Sequence, residues 1–234
     1  DIQYVCDQLG LKLKFMRFDD GETKDNEIYN VTHDRADKAW KKYKDYYNKF
    51  DIIITSDTAP ISRVFLQNGW SKKLIIWVCN RFDYCHGHPT ESFPDQEYYD
   101  LINSAKDREN VHIIGYTAFE NYYAKHIRNV DIGSEVITPI GKISSVYCNY
   151  SRLEMEDKEN TLFVGPYHND NIMMDLSGHL QKLGLQVYNG RYNGPLDLAG
   201  FKGVVHIPYA WSNYEMFENL QAGVKYYIPS LSFL

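Results

Sequence analysis

Each short apolar run of this chain is followed by side chains able to do chemistry. Asp57 comes just after Ile52-Ile53-Ile54-Thr55. The loop Asn80-Arg81-Phe82-Asp83-Tyr84-Cys85-His86-Gly87-His88 follows Leu74-Ile75-Ile76-Trp77-Val78, and Tyr116 follows Val111-His112-Ile113-Ile114. A carboxylate or imidazole in such a place can take a proton from a hydroxyl nucleophile, so Asp57, Asp83 and His86 are candidate general bases, with His88 a further one. Asp57 has a second role open to it, as cap of the helix that starts near Pro60. Later in the chain, Gly165-Pro166-Tyr167-His168-Asn169-Asp170 and Pro208-Tyr209-Ala210-Trp211-Ser212-Asn213-Tyr214-Glu215 each join an apolar run to a helix-like segment. A helix amino end offers unpaired N–H groups and a positive dipole to an anion such as a diphosphate. Ser212-Asn213-Tyr214-Glu215 also reads as a capping box, which gives Glu215 a structural alternative.

These residues need a scaffold, and its order is legible. Ile2, Val5, Cys6 and Leu9 have helical spacing closed by Gly10, residues 11–18 alternate like a strand, and 19–34 read as loop. A Lys- and Tyr-rich helix over 37–50 precedes strands at 51–55, 74–78 and 111–114, with helices at 61–68, 95–105 and 118–127 between and after them. The β-branched strands look like those buried on both faces of a parallel sheet. Residues 130–160 break the rhythm, with some strand near 136–143, and read as a connection. Strands at 161–164, 186–188, 204–207 and 225–228 and helices at 172–183 and 212–222 then restart it. The expected fold is α/β, with two Rossmann-like domains, 1–150 and 151–234, and a cleft between them where ligands sit beyond the strand carboxyl ends.

The segment 204–224 carries a resemblance. A strand ends in Pro208, a loop follows, the next helix bears Glu218, and Gly223 closes it five residues later. This is similar to the donor-binding domain of GT-B glycosyltransferases over about residues 161–230. The resemblance implies that Glu218 accepts the ribose hydroxyls of a nucleotide-sugar. It also implies that Gly165, Tyr167, His168, Asn169, Arg191, Pro208, Tyr209, Ser212, Asn213, Tyr214 and Glu215 line the donor site. The family's retaining members carry a second Glu eight positions before the first, where this chain has Ala210, so an inverting transfer is expected. The first half then holds the acceptor, with Arg81, Tyr84 and Tyr116 as acceptor-binding candidates. Arg191 or Arg81 would meet the diphosphate charge without a metal.

Composition narrows the partners. Across 234 residues a formal charge of -6 and scattered basic residues argue against a nucleic-acid partner. No apolar run reaches the roughly 20 residues that span a bilayer, and no secretory signal is visible, so the cytoplasm is expected. Cys79, Cys85, His86 and His88 match no common zinc spacing, and no metal or other cofactor is expected. No G-x-G-x-x-G follows a strand, which sets aside a Rossmann oxidoreductase. The twenty tyrosines suit either sugar recognition or ordinary packing. The Tyr-, Asn- and Lys-rich wording resembles glycosyltransferases encoded by large DNA viruses of algae, which implies host cytoplasm, a UDP-sugar such as UDP-xylose as donor, and a glycan or glycoprotein acceptor. A non-catalytic nucleotide-sugar-binding module and a sugar-nucleotide epimerase stand as alternatives.

Overall fold

The computed structural model describes residues 2–21, 30–84, 94–137, 154–165, 175–207, 214–230 and 232. The protein is α/β, with parallel strands in two sheets and helices in the crossovers, an arrangement compatible with Rossmann-like folds. Contacts divide it into two compact units, Lys14–Thr138, and Asp1–Leu13 with Pro139–Leu234. The first helix, α1 (Ile2–Gln8), belongs to the latter. Residues 11–20 carry no regular structure, although their apolar positions alternate. Alternation makes a strand only where a neighbour pairs with it, and Leu11, Phe15 and Met16 are exposed here.

In the first unit, α2 (His33–Tyr47) starts at Thr32, whose side chain accepts from the Arg35 N–H. It leads to β1 (Ile52–Thr55), a 3-10 turn over Ala59–Ser62, α3 (Arg63–Leu66) and β2 (Lys73–Val78). Next come α4 (Gln96–Ala105), capped by Asp95, then β3 (Val111–Gly115) and α5 (Ala118–Ile127). Thr117 and Glu120 form a reciprocal capping box at the start of α5. The sheet order is β1-β2-β3, all parallel, with Ile54 opposite Ile75 and Ile76 opposite Ile113.

Burial alternates along these strands, contrary to the expectation of strands covered on both sides. Leu74, Ile76, Val78, Val111 and Ile113 enter one core with Ala36, Ala39, Val64, Phe65, Tyr98, Ile102, Tyr123 and Ala124 from α2 to α5. The other face carries Ile52, Ile54, Ile75, Trp77 and Ile114, and Ile52 and Ile54 on the edge strand are exposed. Helices from every crossover thus share one layer. Arg63, almost wholly buried, locks α3 to the start of α4 through Asp95 at 2.7 Å and Glu97 at 2.5 Å.

In the second unit, a 3-10 turn at Lys158–Asn160 leads into β4 (Leu162–Val164), α6 (Leu176–Lys182) and β5 (Val187–Tyr188). Then follow α7 (Pro195–Leu198), β6 (Gly203–Val205), α8 (Tyr214–Gln221) and β7 (Tyr226–Tyr227). The strands lie in the order β5-β4-β6-β7, all parallel. The chain steps from β4 to β5 on one side and returns to β6 on the other, so its direction of winding reverses between β4 and β6. Phe163, Leu198, Phe201, Val204 and Val224 form the core, with Tyr188, Tyr192 and Tyr226 packed against it.

Gly203 is required where β6 meets β7. A Cβ there would lie 2.5 Å from Cε2 of Tyr227 and 2.9 Å from the Lys225 carbonyl oxygen. Gly203→Ala should therefore overpack the sheet and lower stability by about 1–3 kcal/mol in urea unfolding, and an unchanged midpoint would refute this packing.

Candidate functional site

In open parallel sheets the crevice at the winding reversal, beyond the strand carboxyl ends, is where ligands bind. The β4 and β6 ends supply Gly165 and then His206-Ile207, and residues 189–194 follow β5. Because β6 and β7 are parallel, the intervening α8 runs back along the sheet, and its amino end lies at that same edge.

Side chains tie these pieces together. The Tyr192 hydroxyl, from the loop after β5, donates to Oε1 of Glu215 in the first turn of α8 at 2.5 Å. Asn219, one turn further and fully buried, donates to the same oxygen at 3.4 Å and to the Tyr226 hydroxyl at 2.7 Å. The loop itself is fixed twice more. Tyr188 donates to the Arg191 carbonyl at 3.0 Å, and the Asn193 N–H donates to Asp197 at 2.9 Å. Asp197 is wholly buried and paired with Lys158 across the Phe201 ring. Each hydrogen bond to a charged group contributes about 1.5–3 kcal/mol toward holding this six-residue loop, 189–194, in place.

Burial sets the electrostatics of this edge. His206 lies edge-on to the Tyr226 ring, and burial lowers its pKa from the ordinary imidazole value, opposed by the Glu215 charge. It is therefore neutral at pH 7 and able both to donate and to accept. Tyr226 is pushed up, first by burial, with Glu215 adding to the rise against the hydrogen bond from Asn219. Glu218 follows Glu215 by three positions on α8 and is half-buried. Its carboxylate makes no hydrogen bond or ion pair with any described residue, so its acceptor capacity is unspent. The exposed Arg191 guanidinium likewise has no ion pair among the described residues.

The remaining donor-site expectations divide. Gly165 is buried at the end of β4, and Tyr214 opens α8. Tyr167, His168, Asn169, Pro208, Tyr209, Ser212 and Asn213 lie outside the described residues, as does the proposed partner of Glu215 in a capping box. Oε1 of Glu215 accepts from Tyr192 and Asn219.

In the first unit, Asp57 has a left-handed backbone (φ 73°) immediately past the end of β1. Its expected alternative as a helix cap is not what forms. Thr58 occupies the cap position of the following turn, and no side chain caps it. The Asp57 carboxyl reaches the surface, yet neighbouring protein strips enough water to push its pKa up from the usual value. A strained, partly desolvated carboxylate with no partner among the described residues is the kind of group found at functional sites.

Asp83 is different. It is fully buried after β2, where its Oδ2 accepts from Arg128 Nε at 2.8 Å and from the Tyr99 hydroxyl at 2.8 Å. A carboxylate so held is a tether between the β2 loop, α4 and α5, and we drop it as a base. Tyr116 is also fully buried, with its N–H donating to the Val78 carbonyl, so it presents no surface to an acceptor. Arg81 and Tyr84 remain partly exposed and stack, with the guanidinium 5.3 Å from the Tyr84 ring centre and 5.9 Å from that of Tyr123. His86 lies outside the described residues. Among those described, no three His, Cys, Asp or Glu side chains gather as a metal site would require.

Sequence reasoning missed the Tyr192–Glu215–Asn219 clasp and α7 with its buried Asp197. The Glu215/Asn219 spacing of four was a visible hint of the first, and Pro195 at a helix start was a hint of the second. Comparison with protein-family profiles, with curated proteins and with solved structures finds no match.

The tether at Asp83 is testable by itself. Asp83→Asn leaves Arg128 without its buried counter-charge and should cost about 3 kcal/mol in urea unfolding. A loss below about 0.5 kcal/mol would return Asp83 to the pool of reactive groups.

Proposed function

We propose that this protein is a glycosyltransferase. It moves a sugar from a nucleotide-diphosphate donor to a hydroxyl of a glycan or glycoprotein acceptor, in the manner of a GT-B enzyme built from two Rossmann-like domains. The donor is a UDP-sugar, with UDP-xylose a candidate, and the place of action is the cytoplasm. The observation that carries this reading is the uncommitted Glu218 carboxylate on α8, one turn beyond a Glu215 that is already fixed by Tyr192 and Asn219. At a winding reversal, a carboxylate on the helix body suits vicinal ribose hydroxyls, and the helix amino end and Arg191 suit the diphosphate.

Donor recognition belongs to the second unit and the acceptor to the first. Asp57 acts as general base there, its raised pKa making it a better proton acceptor than an ordinary aspartate. The acceptor oxygen gives its proton to Asp57 and bonds to the anomeric carbon as the bond to the diphosphate breaks. The nucleoside diphosphate leaves with both bonding electrons, and the configuration inverts. Arg81 and Tyr84, which follow β2, contact the acceptor in this reading.

A thermal-shift panel of UDP-, GDP- and TDP-sugars tests the reading, since a ligand that binds only the folded state raises its apparent stability. We expect UDP-xylose or another UDP-sugar to raise the Tm, and Glu218→Ala to weaken that binding about 10- to 100-fold. No response to any nucleotide-sugar would exclude transfer. Binding without transfer to any acceptor would instead mark a binding module, and conversion of the donor alone would mark an epimerase.

A further inference from the structure

The first unit has a hollow on the outer face of α5. While Tyr123 and Ala124 face the core, Asn121, Tyr122, Lys125 and His126 line this open hollow of about 500 Å³ together with Ser134 and Val136. That volume lies within the roughly 300–1,000 Å³ of small-molecule sites. Val136 is held in place by backbone pairing, because it bridges to Gly115 at the end of β3.

Three features define what the hollow suits. The first is an exposed aromatic ring. The Tyr122 and His126 rings lie 4.5 Å apart at 35°, and Tyr122 is 56% exposed, a large aromatic surface left open beside a cavity. Such a surface attracts the apolar C–H face of a ring whose edge is polar. The second is rigidity. The Asn121 amide donates to the Gly133 carbonyl at 2.5 Å, and its Oδ1 packs so close to Gly115 that a Cβ there would come within 2.2 Å. The third is a balanced set of hydrogen-bonding groups. Asp131 is held ionised by Lys106 at 2.5 Å and by the Gly133 N–H, with its pKa lowered first by the Lys106 hydrogen bond. Lys125, which makes no hydrogen bond among the described residues, and the Ser134 hydroxyl supply donors beside that acceptor.

The charges exclude the obvious competitors. Lys106 and Asp131 offset each other, leaving Lys125 as the cation beside the rings, too little for a di- or triphosphate. We infer that it is a carbohydrate site, in which a sugar ring stacks on Tyr122 and its hydroxyls bond to Asp131, Lys125 and Ser134. That the bound sugar belongs to the acceptor glycan rests on the transferase reading, whereas the binding itself does not.

The test is ligand-observed NMR saturation transfer on the intact chain without nucleotide, using xylobiose, cellobiose, mannobiose and chitobiose as probes. At least one should bind, and Tyr122→Ala, an exposed change that leaves the core intact, should weaken it tenfold or more. Lys125→Ala serves as a second variant should the first lower the Tm. Failure of all four disaccharides to bind, or binding unaffected in both variants, overturns the proposal. UDP-sugar binding measured on the same samples separates that failure from failure of the transferase reading.

Discussion

The parallel pairing of β4 with β6 is the constraint on which the second unit turns. Leu162, Phe163 and Val164 lie opposite Gly203, Val204 and Val205, although some forty residues separate them. That pairing fixes where the winding reverses. It brings Gly165, His206 and the amino end of α8 to one edge, and it leaves the loop after β5 to close on them. Glu215 joins that loop to the helix, taking Tyr192 from one and Asn219 from the other. With one glutamate committed to the scaffold, its neighbour Glu218 is left with capacity for a ligand. The division of labour follows from position, since the two carboxylates are the same chemically.

The first unit solves a similar problem with a one-layered sheet. Its helices gather on one face, where Tyr47, Phe65, Tyr98 and Tyr99 from α2, α3 and α4 join the aliphatic strand residues in the core. Charged groups inside that layer work as ties. Arg63 holds α3 to α4, and Asp83 holds the β2 loop to α4 and α5. Asp57 lies outside these ties, in a left-handed conformation and partly stripped of water. Asp83 and Asp57 differ in their surroundings. The Asp83 carboxylate is tied through Oδ2 to Arg128 and Tyr99, whereas Asp57 has no partner among the described residues and a raised pKa.

Much of the scaffold was legible in the chain. Thr117 and Glu120 mark the start of α5, and the apolar runs at 74–78, 111–114 and 161–164 become β2, β3 and β4 within a residue. What periodicity could not supply was pairing. Residues 11–18 alternate yet find no neighbour, and β1 is as apolar as β2 but lies at an edge, so Ile52 and Ile54 stay exposed. The site was legible only in part for the same reason. Asp57 stands out because it follows a strand, and Glu218 because it lies on a helix five residues before its closing Gly223. The burial of Asp83, Tyr116 and Asn219 depends on which helices cover them, which no local pattern encodes. No helix among the described residues is long and apolar enough to cross a membrane.

The central claim is that the edge formed by β4, β6 and α8 receives a nucleotide. Backbone amide NMR during titration with UDP addresses it most directly. The account predicts that the largest shifts fall on His206, Ile207, Glu215, Glu218 and the 189–192 loop. Shifts confined to residues 14–138, or none at millimolar UDP, would contradict it.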